Sequence, residues 1–194
     1  MGNVSREVEK LFSTAVKTQK IIQNTFKNGI IDINDKEQRE LYYFNLLKSY
    51  PEFTWLSFGF PNGDFFGAQR ISGTEIDIID NDWLNEDQLA NRTINYYKLD
   101  GKEYELAASH VIPDYEYFAP QRSWYKEAIK VTEEIWTSVY IFSTSKKPGL
   151  NTALSLDINN EFVGVVSIAF ELEDISGYLK GLKIGKTGNV FLID

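Results

Sequence analysis

Three short turn signals, each between two segments of strand-type residues, constrain the fold of this chain more than any other feature. They are Pro61-Asn62-Gly63-Asp64, Asp100-Gly101 and Asn159-Asn160. Gly and Asn adopt the positive backbone angles of tight hairpin turns at little cost. A strand that returns through such a turn pairs antiparallel with the strand before it. The sequence therefore predicts hairpins that pair 53–60 with 65–71, 93–99 with 102–109, and 151–158 with 161–172.

Two helices are predicted before the first hairpin. Apolar residues recur at helical spacing over residues 4–27, and Gly29 stands where such a helix ends. At roughly 24 residues this helix would be about 36 Å long, so we expect it to project from the domain or to pack against a second copy. A second helix follows a cap at Asn34 or Asp35 and closes at Pro51. Its predicted inner face consists of Leu41, Phe44 and Leu47.

The remaining segments complete the predicted order of elements. The acidic stretch 76–87 around Trp83 is interpreted as a solvated connection, because it lacks the glycine-centred spacing of a calcium-binding loop. Further predicted elements are a helix at 122–131, a strand at 136–142, a helix at 173–182 and a terminal strand at 189–193. The sequence therefore predicts one α+β domain, with helices first and an antiparallel sheet after them.

The composition excludes several classes of function. The chain has 194 residues, no cysteine, one histidine and a net charge of −8. The absence of cysteine rules out thiol nucleophiles, and the acidic balance argues against general nucleic-acid binding. His110 and the Asp80/Asp82 pair lack the neighbours that a catalytic triad or a metal site needs. We therefore expect a binding protein that is not an enzyme and that holds no cofactor or metal.

A cation among four aromatic rings is the best candidate for a binding site. In residues 117–128, Arg122 stands close in sequence to Tyr117, Phe118, Trp124 and Tyr125. Arginine presents a planar fork of donors to a carboxylate, and aromatic rings with polar tips can form the walls around it. The alternative is an ordinary helix start after Pro120, with the rings in the core and Arg122 paired to a surface glutamate. Composition alone leaves both interpretations open.

The order of these motifs resembles the Cache family of bacterial sensor domains. The resemblance rests on 58–64, Arg122-x-Trp124-Tyr125, 136–140, 164–168 and Asp174-Ile175-Ser176. It covers about residues 1–182, and residues 185–194 are similar to the first strand of the membrane-proximal module of double-Cache proteins. The resemblance implies a long N-terminal helix and a PAS-like antiparallel sheet flanked by helices. It also implies three parts: helices at 1–50, a membrane-distal ligand module at 51–182, and the start of a truncated second module at 183–194.

The resemblance further implies a location and a role. Cache domains usually lie outside the cytoplasmic membrane, in chemoreceptors, histidine kinases or cyclase-type signalling proteins that are anchored by transmembrane helices. The chain itself has no apolar run of the roughly 18–20 residues that cross a bilayer. In such proteins the membrane-distal module binds a small molecule, often an amino acid or another carboxylate, and its closure moves the long helix. A homodimer through that helix is a further implied assembly.

The resemblance also implies which residues bind the ligand. In amino-acid-binding members a Tyr, an Arg, a Trp-Tyr pair and a later Tyr surround the ligand, and two Asp hold its amine. The first five positions are occupied here by Tyr117, Arg122, Trp124, Tyr125 and Tyr140, and the two aspartate positions by Phe142 and Ala169. Neither of these last two can compensate a buried ammonium group, which is costly without a partner. The leading hypothesis is therefore a sensor for a small organic acid that lacks an amine.

Two alternatives stay open. Asp114 lies shortly before Tyr117 and could replace the missing aspartates, which would restore amino-acid binding. The chain could also be a ligand-free dimerisation or interaction module, in which Arg122 is tied to an internal carboxylate. The polar residues Lys17, Thr18 and Gln19 argue against a regular coiled coil in the first helix.

Overall fold

A computed structural model describes residues 2–84 and 89–181 of the chain. The helices are α1 (Gly2–Lys27), α2 (Lys36–Ser49), α3 (Ser123–Ala128) and α4 (Leu172–Gly181). The strands are β1 (Trp55–Gly59), β2 (Phe65–Ser72), β3 (Glu75–Leu84), β4 (Leu89–Asp100), β5 (Glu103–Tyr115), β6 (Ile135–Trp136), β7 (Tyr140–Ile141), β8 (Pro148–Ile158) and β9 (Glu161–Glu171). In this described part they form one antiparallel sheet in the order β5-β4-β3-β2-β1-β9-β8-β6, with β7 also paired to β8. The predicted α+β class is confirmed.

All three predicted hairpins are present. They are formed by β1 and β2, by β4 and β5, and by β8 and β9. Gly63, Gly101, Asn159 and Asn160 have φ angles of 102°, 62°, 53° and 65° in the connecting turns. These angles are the ones that favour Gly and Asn over other residues. Strand β9 lies between β1 and β8, so the last hairpin is inside the sheet but lies towards its β6 end and not at its centre.

Side-chain alternation gives the sheet two different faces. Leu56 pairs across the strands with Ala68 and Ile168, and these three belong to the core that packs against α1 and α2. Ser57 pairs with Gly67 and Ser167 on the opposite face. Since partners in an antiparallel pair project to the same side, the two sets define a helix face and a cavity face. The larger hydrophobic cluster lies on the helix face, and a second cluster, which includes Trp55, Phe65 and Trp124, lies on the cavity face beside the cavity described below.

Helix α1 packs on the helix face against β8 and β9. Its buried apolar row consists of Leu11, Ala15, Ile22 and Phe26. Gln19 is buried in the same row, where its Nε2 donates to the Val166 carbonyl at 3.0 Å. Thr152 Oγ1 donates to Gln19 Oε1 at 3.1 Å, so both ends of the Gln19 amide are bonded. The sheet of this domain therefore explains a polar position on α1, and a homodimer through the N-terminal helix stays a prediction.

Helix α2 begins at one of its two predicted caps, since the Asp35 side chain accepts from the backbone N–H of Gln38. Its buried residues are Arg39, Tyr43 and Leu47. The predicted inner face is therefore only partly right, because Leu47 is buried and Phe44 is partly buried, whereas Leu41 is 60% exposed. The buried face includes Arg39, and apolar spacing alone cannot predict a buried cation.

The interpretation of residues 76–87 as a solvated connection is wrong. Residues 75–84 form β3, in which Ile76, Ile78 and Ile79 are buried. Asp80 is buried as well, and its carboxylate lies 2.7 Å from Arg39 Nη2 and 3.0 Å from Lys36 Nζ. Acidic composition indicates solvent exposure, but here two cations from the α2 region compensate the buried charge. Residues 85–88 lie outside the described part of the chain.

Two elements near the cavity are shorter than predicted. Helix α3 has 6 residues instead of the predicted span 122–131, and the strand predicted at 136–142 divides into the separate strands β6 and β7. The helix predicted at 173–182 is confirmed as α4. The predicted terminal strand at 189–193 and the short module at 183–194 lie outside the described residues. The division of the chain at residues 50 and 182 stays a prediction.

Candidate ligand-binding cavity

A cavity of about 220 Å³ lies on the cavity face of the sheet. Strands β1, β2, β4, β8 and β9 supply its floor, and the segments 117–124 and 140–144 cover it. Its lining consists of Trp55, Ser57, Phe65, Arg92, Tyr117, Gln121, Arg122, Ser123, Trp124, Tyr140, Ile141, Phe142, Ser143, Thr144, Asn151 and Ala169. No carboxylate is among the described residues that line the cavity.

Arg122 is held where a short 3-10 turn meets α3. The turn spans Ala119–Gln121, and the backbone N–H of Arg122 donates to the Ala119 carbonyl at 3.0 Å. The Arg122 guanidinium carbon lies 4.5 Å from the centre of the Tyr117 ring. Within residues 2–84 and 89–181, Arg122 Nε has no hydrogen-bond partner and the guanidinium forms no ion pair. Its planar fork of donors is therefore available for an anion.

A neutral hydrogen-bonded row borders the cavity next to Arg122. Tyr140 Oη donates to Asn151 Oδ1 at 2.6 Å, and Asn151 Nδ2 donates to Ser167 Oγ at 2.7 Å. Asn151 faces Ala169 across the β8–β9 pair. Burial raises the pKa of Tyr140 far above its usual range, so the hydroxyl stays protonated and remains a donor. This row supplies polar contacts without a negative charge.

The rest of the wall is apolar. Trp55, Phe65, Phe142 and Ala169 are all buried there. The Phe65 ring centre is 5.1 Å from that of Tyr117, and the Phe142 ring centre is 5.2 Å from that of Tyr140. A Cβ atom at Gly149 would overlap the Phe142 ring, so glycine at this position leaves the ring its space. The two positions predicted to lack the usual aspartates therefore contribute apolar surface to the cavity.

A second arginine, Arg92, lines the cavity and was missed by sequence analysis. It belongs to β4, is 2% exposed, and its guanidinium carbon lies 4.2 Å from the centre of the Tyr115 ring. Burial lowers the pKa of Arg92. The predicted strand began at residue 93, which left Arg92 outside the sheet. Side chains two residues apart on a strand lie on the same face, so Arg92 shares the face of Ile94 if the strand is extended towards its N-terminal end.

The structure brings together six of the eight predicted site residues. Tyr117, Arg122, Trp124, Tyr140, Phe142 and Ala169 line the cavity. Tyr125 instead packs between the rings of Trp124 and Phe162, with ring centres 5.6 and 6.2 Å away, and burial raises its pKa to about 12. Asp114 is exposed at the end of β5, has a φ of 55°, and does not line the cavity. A ligand-binding role for these residues stays a prediction.

Two further properties concern membrane insertion and metals. None of the helices in the described ranges is both long enough and apolar enough to cross a membrane. In the same ranges, no three His, Cys, Asp or Glu side chains are grouped as a metal site would need.

The long N-terminal helix, the antiparallel sheet with two distinct faces and the covered cavity are the architecture of a PAS-like sensor domain. The family described as "Methyl-accepting chemotaxis protein-like, first PDC sensor domain" matches residues 70–177. The chain belongs to this family of PDC, or Cache, sensor domains. The resemblance predicted from the sequence is confirmed, and so is the prediction of a sensor rather than an enzyme.

Solved structures of receptor sensor domains share this fold. The ligand-binding domain of the Campylobacter jejuni chemoreceptor Tlp3, solved with 4-methylisoleucine, aligns with a TM-score of 0.60 at 14% identity, over 90% of this chain and 56% of that one. The extracellular domain of the putative histidine kinase soHK1S-Z6 aligns with a TM-score of 0.59 at 14% identity, over 91% and 59%. The Pseudomonas aeruginosa chemoreceptor PctC, solved with GABA, aligns with a TM-score of 0.57 at 13% identity, over 93% and 64%. The chain thus spans less than two thirds of these domains. Among curated proteins there is no match.

Proposed function

We propose that this chain is the extracytoplasmic sensor part of a membrane-anchored signalling protein of the chemoreceptor or histidine kinase type, and that its cavity binds a small organic carboxylate. The carboxylate would be held by Arg122, with Trp124, Tyr117 and Tyr140 around it. One observation carries the proposal: Arg122 lines a cavity whose described lining contains no carboxylate. A charged ligand group would supply the missing counter-charge, and each charge-assisted hydrogen bond to it contributes roughly 1.5–3 kcal/mol.

The same lining disfavours a ligand that also carries an amine. An ammonium group taken into the cavity would need an anionic partner, and its desolvation without one costs several kcal/mol. Phe142 and Ala169 offer none, and Asn151 Oδ1 already accepts from Tyr140. Asp114 lies away from the cavity lining, so its position does not support a compensating role.

An amino-acid sensor is the second candidate, because solved domains of the same fold carry such ligands. Tlp3 was solved with isoleucine and with L-valine, and the Pseudomonas aeruginosa chemoreceptor PctB with L-Arg. Their identity to this chain is only 14–16%, so they share its fold without fixing its ligand. The two candidates differ in one requirement: an amino acid needs an anionic partner for its ammonium group, whereas an acid without an amine does not.

A binding screen separates the candidates. Organic acids and the corresponding α-amino acids should be compared by thermal shift and then by calorimetry. A ligand at a hundred times its Kd adds about 2.7 kcal/mol to stability, which for a domain of this size raises Tm by roughly 5–10 °C. The proposal expects this rise with acids and not with the amino acids of equal length. Amino acids that bind while the acids do not would support the second candidate.

The role of Arg122 is tested with a matched charge control. Arg122→Ala should weaken acid binding about 10- to 150-fold, the loss of one charge-assisted contact of roughly 1.5–3 kcal/mol. Lys126→Ala removes one positive charge from the exposed side of the same helix and should leave affinity within about two-fold. Full affinity in Arg122→Ala would show that the anion site is elsewhere or absent.

A further inference from the structure

Arg92 and Arg122 are two arginines on one cavity, and they are contributed by different layers of the fold. Arg92 comes from β4 in the sheet, whereas Arg122 comes from the segment that covers the sheet. Tyr117 lies within the influence of both: burial raises its pKa, and the guanidiniums of Arg122 and Arg92 oppose that rise. A ligand beside Tyr117 is therefore exposed to two positive charges.

Arg92 has no ion pair in the described part of the chain, and its Nε is buried without a hydrogen-bond partner. Its contacts are the face of the Tyr115 ring and a longer-range attraction to Asp77, which lines a neighbouring cavity with it. A ring face offsets only part of the cost of burying a full charge. Most of the compensation for Arg92 is therefore missing from the described residues.

Arg39 is another buried arginine of this domain, and its partners differ from those of Arg92. Arg39 is buried to a similar degree, but its Nη2 lies 2.7 Å from Asp80 Oδ2 and its Nη1 donates to the Ile33 carbonyl at 3.1 Å. The buried charge of Arg39 is thus compensated by a carboxylate of β3. Arg92 lacks such a carboxylate and borders open space instead.

We propose that the ligand of this cavity is a small dicarboxylate whose two acid groups are bound by Arg122 and Arg92. This inference rests on the proposed function and adds a second charged contact to it. Two planar carboxylates match two guanidinium forks. The apolar surfaces of Trp55, Phe65 and Ala169 suit the short carbon chain between the acids. A monocarboxylate would leave one guanidinium unpaired.

The test compares acids of equal carbon number in the unmodified protein. Malonate, succinate and glutarate are titrated calorimetrically at pH 7.5 against propionate, butyrate and valerate. We expect the best dicarboxylate to bind at least 10-fold tighter than its matched monocarboxylate. Equal affinities for the two series, both dependent on Arg122, would overturn the dicarboxylate inference and leave the proposed function in place. Binding of neither series would overturn both.

Variants then assign the second contact. Arg92→Gln should bring dicarboxylate affinity to within about 3-fold of the monocarboxylate, because it weakens dicarboxylate binding much more than monocarboxylate binding, whereas Arg122→Ala weakens both series. Lys126→Gln is the control for loss of a positive charge outside the cavity. A dicarboxylate preference that survives Arg92→Gln would overturn the assignment. The comparison in the unmodified protein decides the inference even where Arg92→Gln does not fold.

Discussion

Asp80 Oδ2 lies 2.7 Å from Arg39 Nη2, and this ion pair joins the middle of β3 to α2 with both side chains less than a tenth exposed. Lys36 Nζ approaches the other carboxylate oxygen at 3.0 Å. The Arg39 guanidinium carbon also lies 4.5 Å from the centre of the Phe66 ring. The pair is thus embedded in the hydrophobic core of the helix face, where water cannot solvate either charge if its partner is removed.

Asp80→Asn should destabilise the domain strongly, because it leaves the buried Arg39 uncompensated. Breaking a buried pair in this way costs about 3–5 kcal/mol, which corresponds to a Tm lower by roughly 6–20 °C. Asp82→Asn is the matched control, since Asp82 also contacts Lys36 but is 58% exposed and should cost less than about 1 kcal/mol. Urea denaturation measures both, and similar losses for the two variants would contradict the structural role of the pair.

Gly59→Ala should weaken ligand binding without adding or removing any group in the cavity. A Cβ at Gly59 would meet Ala119 Cβ at 2.8 Å and Trp124 Cη2 at 3.0 Å, so the segment that carries Arg122 would have to move. Overpacking of this kind costs typically 1–3 kcal/mol in stability. We expect acid affinity to fall several-fold by calorimetry. Gly73→Ala has no atom within 4 Å of the new Cβ and serves as control; an equal effect there would refute the steric argument.

Ala169→Asp should place a carboxylate in the cavity and compete with the ligand for Arg122. We expect acid binding to weaken at least about 10-fold, since a fixed internal anion removes one charge-assisted contact. Ala169→Asn has nearly the same shape without the charge, so the difference between the two variants isolates the electrostatic part. If Asp and Asn weaken binding equally, crowding and not charge is responsible. Calorimetry with the best acid from the screen gives both values.

Asp77 should make stability depend on pH in an unusual direction. Burial, helped by Glu75, raises the pKa of Asp77 to about 6, although Arg92 opposes the rise. The unfolded value is about 3.9, so the folded protein binds this proton more tightly. Its contribution therefore favours folding below about pH 4 and is lost as the pH rises towards about 6.

Asp77→Asn removes this titration and should be more stable than the unmodified protein at pH 7.5, by roughly 1–3 kcal/mol. The difference should shrink as the pH is lowered towards 5. Asp100→Asn, which changes an exposed carboxylate of the same sheet, is the matched control. Urea denaturation of the three proteins at several pH values is the measurement. A stability difference for Asp77→Asn that does not change with pH would contradict the raised pKa.

Much of the fold follows from local sequence signals, and the exceptions have a common cause. The hairpin turns at Gly63, Gly101 and Asn159 are determined by backbone geometry, which short-range sequence reports well. Asp80 and Arg39 are 41 residues apart, so neither burial could be predicted from its own surroundings. Each charge can be buried only because the other compensates it, and this pairing depends on the tertiary contact between β3 and α2.

The candidate site divides in the same way. Tyr117, Arg122 and Trp124 are close in sequence, and Tyr140, Phe142 and Ala169 were placed by family resemblance. Arg92, Ser57 and Asn151 enter the cavity from three separate strands, β4, β1 and β8. Their side chains converge only through strand order and register, which hairpin signals do not specify beyond neighbouring strands. The residues of the covering segment can therefore be predicted from the sequence more easily than those of the cavity floor.

The hydrogen bonds of Gln19 and those of Asn151 involve neighbouring residues on the same two strands, β8 and β9. Asn151 and Ser167 bond to each other at the cavity, while their sequence neighbours Thr152 and Val166 bond to Gln19 on α1. Peptide units are rigid and planar, so β8 and β9 cannot shift beneath a ligand without carrying the Gln19 contacts along. The first helix is thereby connected, through one peptide unit on each of the two strands, to the polar row that borders the cavity. A displacement of either strand at the cavity would therefore move α1 as well.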